Sequence, residues 1–466
     1  MKSDIHIGII GGGPAGYVAA LHAAASGARV TLVEQTAMGG TCLHRGCIPT
    51  KRLVSASHLL DRMRDAGRFG IALEVSAKPD WSAMRKGISQ LVNAIEKDLG
   101  GLLINRHITM IHNKAQPALG SSLQIRLNTE ECIDVDRVLI CTGSIPDQPP
   151  AFPFDGDSLC TSDELWHWDR LPSSLAIVGE GVVACEFAFI FRSLGIDVTM
   201  LGMMDAPLPH MDVSISSVLS REMRKKKIRF IGGRAVSSFE RQSGHWQAYA
   251  GEELLIAADR VLVCTGRVPN LPSFEFIDVP PELTDRGAIR VDDYMRTTVP
   301  GVYAAGDVTG GCMLAHAASE QARIAVDHIL GRHPAAYNPE HVPAAIFTSP
   351  EVAAVGMTEQ QCREQELAIE IGQFELRALG KAHAMGEIAG SVKLIADADS
   401  RRLLGAHMIG ANATEIIHQA VQLIAVAGSL DDILNTVHAH PTLSEAMHEA
   451  AQDVFGQALH KRLKTA

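Results

Sequence analysis

Apolar runs long enough to cross a bilayer are missing from this 466-residue chain, whose hydrophobic stretches are short or interrupted, whereas a helical span needs about 20 such residues. A helical membrane protein is excluded. No Lys and Arg cluster could follow a phosphate backbone, and the net charge is −11, so nucleic acid is not an expected partner. The start, Met1-Lys2-Ser3-Asp4, runs directly into a strand-like segment without the succession of a secretory signal, and a cytoplasmic location is expected. A paired cysteine framework is missing too. Nine cysteines are scattered along the chain, only Cys42 and Cys47 stand close together, and no secreted disulfide scaffold or metal site is read in them.

What is present is ordinary for a multidomain enzyme. A hydrophobic share of 46% with 20% charged residues suits a globular protein, and the length suggests about three domains of about 150 residues each.

Residues Ile5 to Ile10 read as a buried strand, and Gly11-Gly12-Gly13-Pro14-Ala15-Gly16 then opens a helix through about Ser26. In G-x-G-x-x-G, Gly11 permits the tight turn, Gly13 lets backbone approach a pyrophosphate, and Gly16 allows close helix packing, while the helix N-terminus favours the anion. A second strand from Ala28 ends on Glu34, placed to accept from a ribose 2′-hydroxyl. The same grammar returns at Leu175 to Val178, with Gly179, Gly181 and Ala184, a helix to about Leu194 and a strand from Asp197 to Leu201. Two dinucleotide-binding units are therefore predicted. In each, a later strand runs into Cys-Thr-Gly, at Cys141-Thr142-Gly143 and Cys264-Thr265-Gly266.

The second unit departs from the first. Gly202 stands where the first has Glu34, and no arginine is there to grip a 2′-phosphate, so NAD and NADP are not distinguished at that position. Asp205, in the following loop, is a candidate substitute. Glu180 adds a carboxylate to the turn, which would lower nucleotide affinity if it faced the pyrophosphate.

The segment Gly39-Gly40-Thr41-Cys42-Leu43-His44-Arg45-Gly46-Cys47-Ile48-Pro49-Thr50-Lys51 is the most specific in the chain. In a regular helix, residues five apart have α-carbons roughly 8 to 9 Å from each other. A disulfide needs about 4.4 to 6.8 Å, so bridging the cysteines requires a distorted turn, which Gly46 and Pro49 ease. The bland alternative is a pair of reduced, buried cysteines.

Beyond about Asn338 the pattern turns to α+β, with a strand over Val342 to Phe347 and long helices over Ala413 to Gly428 and Leu443 to Leu459. There His440 precedes Pro441, and Glu445 follows one turn into a helix. A carboxylate on one ring nitrogen would leave the other to take a proton from a thiol. Thr442-x-x-Glu445 also satisfies the capping box, and local sequence does not choose between these roles. The run Val302 to Ala305 before Gly306-Asp307 reads as a strand and turn, with Met313-Leu314-Ala315-His316 opening the next helix.

Together these motifs resemble, in order and over nearly the whole chain, the pyridine nucleotide-disulfide oxidoreductase family. Gly46 to Lys51, Met313 to His316, His438 to Glu445 and Val182 are similar to its dihydrolipoyl dehydrogenase branch. The resemblance implies an α/β fold with two Rossmann-like domains, for FAD and NAD, and a C-terminal α+β dimerisation domain. It implies FAD binding over residues 1–148, NAD(P) binding over 149–269, a return segment over 270–338 and dimerisation over 339–466. Cys42 would exchange with substrate and Cys47 face the flavin. Lys51 would lie near the flavin and pair with Glu186. Gly40, Thr41, Thr142, Gly143, Gly306, Asp307 and Met313 to His316 would surround FAD; Gly179, Gly181, Val182 and Gly266 would serve the nicotinamide nucleotide. His440 and Glu445 would complete the active site of the opposite subunit of a homodimer, a context that favours the catalytic role for Glu445. The implied substrate is dihydrolipoamide on the acyltransferase subunit of a 2-oxoacid dehydrogenase complex. A glutathione-reductase-like enzyme and a non-catalytic flavin-binding structural or sensor subunit are the alternatives. His44 and Arg45 replace the Asn-Val often found between the cysteines and add charge there.

Overall fold

A computed structural model describes residues 5–74 and 77–461. The two chain ends, including the last residues of the predicted dimerisation domain, lie outside the described residues. The chain forms two compact units.

The first unit comprises residues 1–52, 80–147 and 266–339. Its centre is a five-stranded parallel sheet in the order Val302–Ala304, Arg137–Ile140, His6–Ile10, Arg29–Glu34 and Thr109–His112. The strand His6–Ile10 is buried along its whole length, as a central parallel strand covered on both faces must be. Helices Pro14–Ala25 and Ala315–Ile329 pack together through small side chains, with Ala15, Ala19, Ala23, Ala318, Ala322 and Ala325 in one core. Their size allows the backbones to approach closely, so the helix N-termini sit tightly against the sheet. On the other face Ile10, Val33, Val138 and Ile140 pack with Ile125 and Leu127 of a three-stranded antiparallel sheet. A further antiparallel pair, Ser144–Pro146 with Arg267–Pro269, joins the two places where the chain leaves and re-enters this unit.

The second unit comprises residues 53–79, 148–265 and 340–466. It repeats the parallel sheet, in the order Arg229–Ile231, Asp197–Leu201, Ser174–Val178, Arg260–Val263 and Leu159–Thr161. Its C-terminal part is an antiparallel sheet ordered Ala344–Ile346, Glu351–Gly356, Leu403–Gly410, Ser391–Asp397 and Ile369–Glu375. Helix Glu445–Val454 lies on its last strand, where Gly372 leaves room for the Ala450 carbonyl, 2.0 Å from the position a β-carbon would take.

The expected helices in this region are shorter than predicted. The stretch from Ala413 splits into Ala413–Ile416 and His418–Ala425, and left-handed Ala427 (φ 53°) stops it before Gly428. The final helix begins at Glu445 and ends at Val454. Gly456 follows with φ 66°, and its N–H donates to the Asp453 carbonyl, a left-handed glycine stop that apolar periodicity does not reveal. The strand predicted over Val342 to Phe347 is confined to Ala344–Ile346.

A buried ion cluster ties two segments of this unit. Lys393, 6% exposed, donates to both Asp212 oxygens at 2.9 Å and to Glu359 at 2.7 Å. Asp212 also caps helix Val213–Lys225 through the Ser214 N–H. Burial pushes the Asp212 carboxyl up, but bonds from Ser214 and Lys393 outweigh it and hold it well below the usual carboxylate range. A depressed carboxylate contributes its stability above the unfolded value near 3.9 and loses it only as pH falls through the lower folded value. That contribution is therefore complete at neutral pH. Replacing Lys393 with Met leaves Asp212 buried and unpaired, and should cost about 3 to 5 kcal/mol. Urea titration at pH 7 and pH 3 checks this, the loss being smaller at the lower pH.

Candidate active site

The first glycine turn is shaped by contacts that leave no room for side chains. A β-carbon on Gly11 would stand 2.3 Å from the Cys141 carbonyl oxygen, and one on Gly16 would stand 1.8 Å from the Gly11 oxygen. Helix Pro14–Ala25 starts at Gly13 with no side-chain cap, so its first N–H groups face outward with the positive end of the helix dipole. Glu34 is buried at its strand end. Its Oε2 accepts from the Gly12 N–H at 2.7 Å, while Oε1 accepts from the Thr36 N–H at 2.7 Å and the Thr36 hydroxyl at 2.8 Å.

Other predicted residues converge here. The Gly39 N–H donates to the Gly12 carbonyl at 2.9 Å, and Gly40 lies against Gly13, whose α-carbon is 2.8 Å from where a Gly40 β-carbon would be. Gly306 sits between Ala15 and Ala318, 3.2 and 3.3 Å from its own missing β-carbon, which carries Asp307 to the turn. The Ser144 hydroxyl donates to Asp307 Oδ2 at 2.6 Å, and Arg267 donates to the Ser144 hydroxyl at 2.8 Å. Ser144 and Arg267 escaped sequence reading. Their signal was the repeated Cys-Thr-Gly-x-x-Pro, at Cys141 to Pro146 and Cys264 to Pro269, whose ends pair as strands. Thr142 lies beside Gly11, and its solvent-shielded hydroxyl oxygen has no partner among the described residues. Leu314 precedes helix Ala315–Ile329, with half-buried Met313 before it and exposed His316 in its first turn.

The two cysteines sit across a helix break. Helix Gly40–His44 ends as the Arg45 and Gly46 N–H groups both donate to the Thr41 carbonyl, at 2.9 and 2.7 Å. Helix Cys47–Arg64 begins at once. A β-carbon on Gly46 would lie 3.4 Å from the Cys42 α-carbon, so this glycine folds the chain back over Cys42. Pro49 falls in the first turn of the next helix, where a missing N–H costs nothing. Cys42 and Cys47 are half-buried thiols here, joined by a hydrogen bond. That bond and burial push the Cys42 thiol up, opposed by the Cys47 N–H and the Lys51 charge. Burial and the two cysteines raise Tyr17, and His44 bonds the Met38 carbonyl at 2.9 Å.

In the second unit, Gly179 repeats the first turn, its missing β-carbon 2.3 Å from the Cys264 oxygen. Helix Val182–Ser193 starts at an uncapped Gly181. Gly266 falls in the first unit, where its carbonyl accepts from the Asp147 N–H. The carboxylate of Glu180 turns toward Gly202, and Asp205 lies instead beside Gly233. Glu186, 4% exposed, accepts from the Phe347 N–H at 2.9 Å.

His440 and Glu445 meet as predicted, with Nδ1 to Oε1 at 2.8 Å. Glu445 Oε2 accepts from the Thr442 N–H at 2.8 Å, while the Thr442 hydroxyl donates to the Ala439 carbonyl. One oxygen thus bonds the imidazole and the other holds the Thr442 N–H, while the expected capping box does not form, because the helix begins at Glu445 with Ser444 as its N-cap. Burial raises the Glu445 carboxyl, but the bonds from His440 and Thr442 prevail and hold it below its usual value. The carboxylate therefore stays charged as pH falls past the ordinary glutamate range.

Outward-facing helix N-termini, cramped glycines and an orphaned hydroxyl fit dinucleotide ligands, and the paired thiols beside the first glycine turn define a disulfide oxidoreductase. Residues 5–322 match the pyridine nucleotide-disulphide oxidoreductase family, and 342–451 match that family's dimerisation domain. The chain belongs to this family. It is an oxidoreductase working with FAD and NAD, and its dimerisation domain implies a homodimer. It is 36% identical over 458 residues to a dihydrolipoyl dehydrogenase of Bacillus subtilis, covering 97% of this chain and 99% of the relative. It is 35% identical over 462 residues to one of Chlamydia pneumoniae, covering 99% of both. Among solved structures, LpdA from Mycobacterium tuberculosis superposes with a TM-score of 0.90 at 27% identity, over 96% of this chain and 99% of that one. The HOCl-induced flavoprotein disulfide reductase RclA from Escherichia coli superposes with a TM-score of 0.84 at 26% identity, over 96% and 99%. No helix among the described residues is long and apolar enough to cross a membrane.

Two measurements check this geometry. Gly16→Ala should purify with most of its flavin absorbance lost, because a methyl 1.8 Å from the Gly11 oxygen forces the turn open. Glu445→Gln should lower the rate of thiol–disulfide exchange by about 10²-fold or more, within the range for acid–base catalysis, and shift the acid limb of the pH–rate profile.

Proposed function

We propose that this chain is a dihydrolipoyl dehydrogenase, oxidising dihydrolipoamide carried on the acyltransferase subunit of a 2-oxoacid dehydrogenase complex and reducing NAD. The observation that carries this reading is the contact between the Cys42 and Cys47 thiols across the Gly46 break. Its support includes the names of the relatives and the oriented histidine.

In this reading His440 of one subunit takes a proton from a substrate thiol next to Cys42 of the other. The substrate thiolate attacks Cys42 of the Cys42–Cys47 disulfide, and Cys47 leaves as thiolate. The second substrate thiol then attacks the mixed disulfide; Cys42 leaves with the proton held on His440, and the imidazole so freed takes the proton of the attacking thiol. The substrate becomes a cyclic disulfide, and the enzyme pair holds the two electrons. Glu445 keeps the imidazole aligned throughout. Bound FAD would supply the relay of those electrons to the nicotinamide. Gly11 to Gly16, Glu34, Gly40, Thr41, Thr142, Gly143, Asp307 and the Met313 to His316 segment would hold it, with Lys51 near its reacting ring and paired to Glu186. Gly179, Gly181 and Val182 would hold the nicotinamide nucleotide. The division into FAD-binding segments 1–148 and 270–338, an NAD-binding segment 149–269 and a dimerisation segment 339–466 goes with this assignment, as does a cytoplasmic location suited to cycling thiols.

A second reading, an NAD(P)H-dependent reductase of another disulfide, is favoured by the likeness to RclA, a flavoprotein disulfide reductase. Purified, FAD-loaded protein given dihydrolipoamide and NAD should form NADH, and Cys42→Ser should abolish it while keeping the flavin. Turnover only with NADPH and a disulfide such as oxidised glutathione would establish the reductase instead.

A further inference from the structure

The two glycine turns can be overlaid by their backbone bonds. The Gly11 N–H donates to the Val33 carbonyl at 2.8 Å, and the Gly179 N–H donates to the Leu201 carbonyl at 2.8 Å. The strand registers agree, Ile10 opposite Val33 and Val178 opposite Leu201. Gly12 therefore corresponds to Glu180, and Glu34 corresponds to Gly202. Each unit has one carboxylate and one glycine at these two places, in opposite order.

The carboxylates nevertheless reach the same spot. In the first unit Glu34 extends back from the strand end, bonding the Gly12 N–H with Oε2 and the Thr36 N–H with Oε1. In the second, Glu180 extends forward from the turn, and its Oε2 lies 3.0 Å from where a β-carbon on Gly202 would be. Its Oε1 accepts from the Met204 N–H at 3.4 Å, and Met204 stands two residues beyond Gly202 as Thr36 stands two beyond Glu34. No hydrogen bond reaches Glu180 Oε2 among the described residues. Exposed apolar side chains follow both anchors, Val182 and Val183 after the turn and Met203 and Met204 after the strand. A polar acceptor between them suits a ribose whose base rests on apolar surface.

We propose that Glu180 is the ribose-binding acid of the second unit and selects NAD over NADP. Transposed from strand to turn, its carboxylate accepts from the adenosine ribose hydroxyls and repels a 2′-phosphate at that position. Arg234, whose backbone N–H donates to the Gly202 carbonyl at 3.1 Å, offers no counter-charge, because its guanidinium is paired with Glu253. The carboxylate thus points away from a pyrophosphate at the helix N-terminus, and the sequence expectation of a weakened nucleotide site is replaced.

This inference rests on the second unit taking a nicotinamide nucleotide, and does not depend on the thiol substrate. Its test is equilibrium binding of NADH and of NADPH to the FAD-loaded protein, followed by calorimetry. Wild type should bind NADH more tightly, and Glu180→Gln and Glu180→Ala should weaken NADH about tenfold, the scale of a hydrogen bond to a charged group. NADPH binding should hold or tighten, with the flavin spectrum and melting temperature unchanged. The transposed variant, Glu180→Gly with Gly202→Glu, should regain the NADH preference provided that it melts as wild type does. Unchanged or tighter NADH binding in the single variants overturns the proposal, as does a folded transposed variant without the preference. Wild type that binds neither nucleotide overturns it together with the nicotinamide assignment. Discriminating NADH binding without dihydrolipoamide turnover leaves it standing and removes only the substrate reading.

Discussion

A central strand whose chain must turn against the carbonyl oxygen of a neighbouring strand leaves no space for a β-carbon, and this close approach organises both units. Gly11 meets the Cys141 oxygen and Gly179 meets the Cys264 oxygen at the same 2.3 Å from a hypothetical β-carbon. Once the turn is that tight, the following helix starts beside the sheet with its first N–H groups uncapped. The third position then sets how closely the helix lies. Gly16 lets it press to the Gly11 carbonyl, whereas Ala184 holds the corresponding place in the second unit.

In the first unit the remaining pieces are arranged around that turn. Gly40 is stacked on Gly13, Gly306 is wedged between two alanine-faced helices, and Asp307 is held through Ser144 and Arg267. The cysteine segment is anchored at one end by the same contact, since Gly39 donates to Gly12. The thiol pair thus takes its position from backbone packing. Gly46 does the local work, because a β-carbon there would stand 3.1 Å from the Thr41 carbonyl oxygen at the break.

Carboxylates in this protein are placed by the donors around them more than by their position in the chain. Glu445 divides its oxygens between an imidazole and a backbone N–H, and both bonds favour the charged form over the burial that opposes it. Asp212 does the same with a helix N-terminus and Lys393. Glu34 and Glu180 come from opposite sides of their turns, yet each has an oxygen on the N–H two residues past the Glu34 or Gly202 position. A flexible side chain with two acceptors can reach one donor from several anchors.

Sequence alone determined the two strand–turn–helix units, the thiol pair, the histidine–glutamate dyad and the mixed C-terminal part. Each is written in local spacing, where steric demands at Gly11 or Gly46 act over a few residues. The family likeness was legible for the same reason, as its motifs are short and occur in order. Tertiary structure decided what depends on distant neighbours. Local pattern could not show that Glu445 bonds both the His440 ring and the Thr442 N–H, since that requires the placement of two oxygens. It could not stop the last helix at Val454, because its amphipathic pattern does not register the left-handed Gly456. Nor could it show where the Glu180 carboxylate goes, for Glu180 and Gly202 lie on neighbouring strands' ends and meet only when those strands pair.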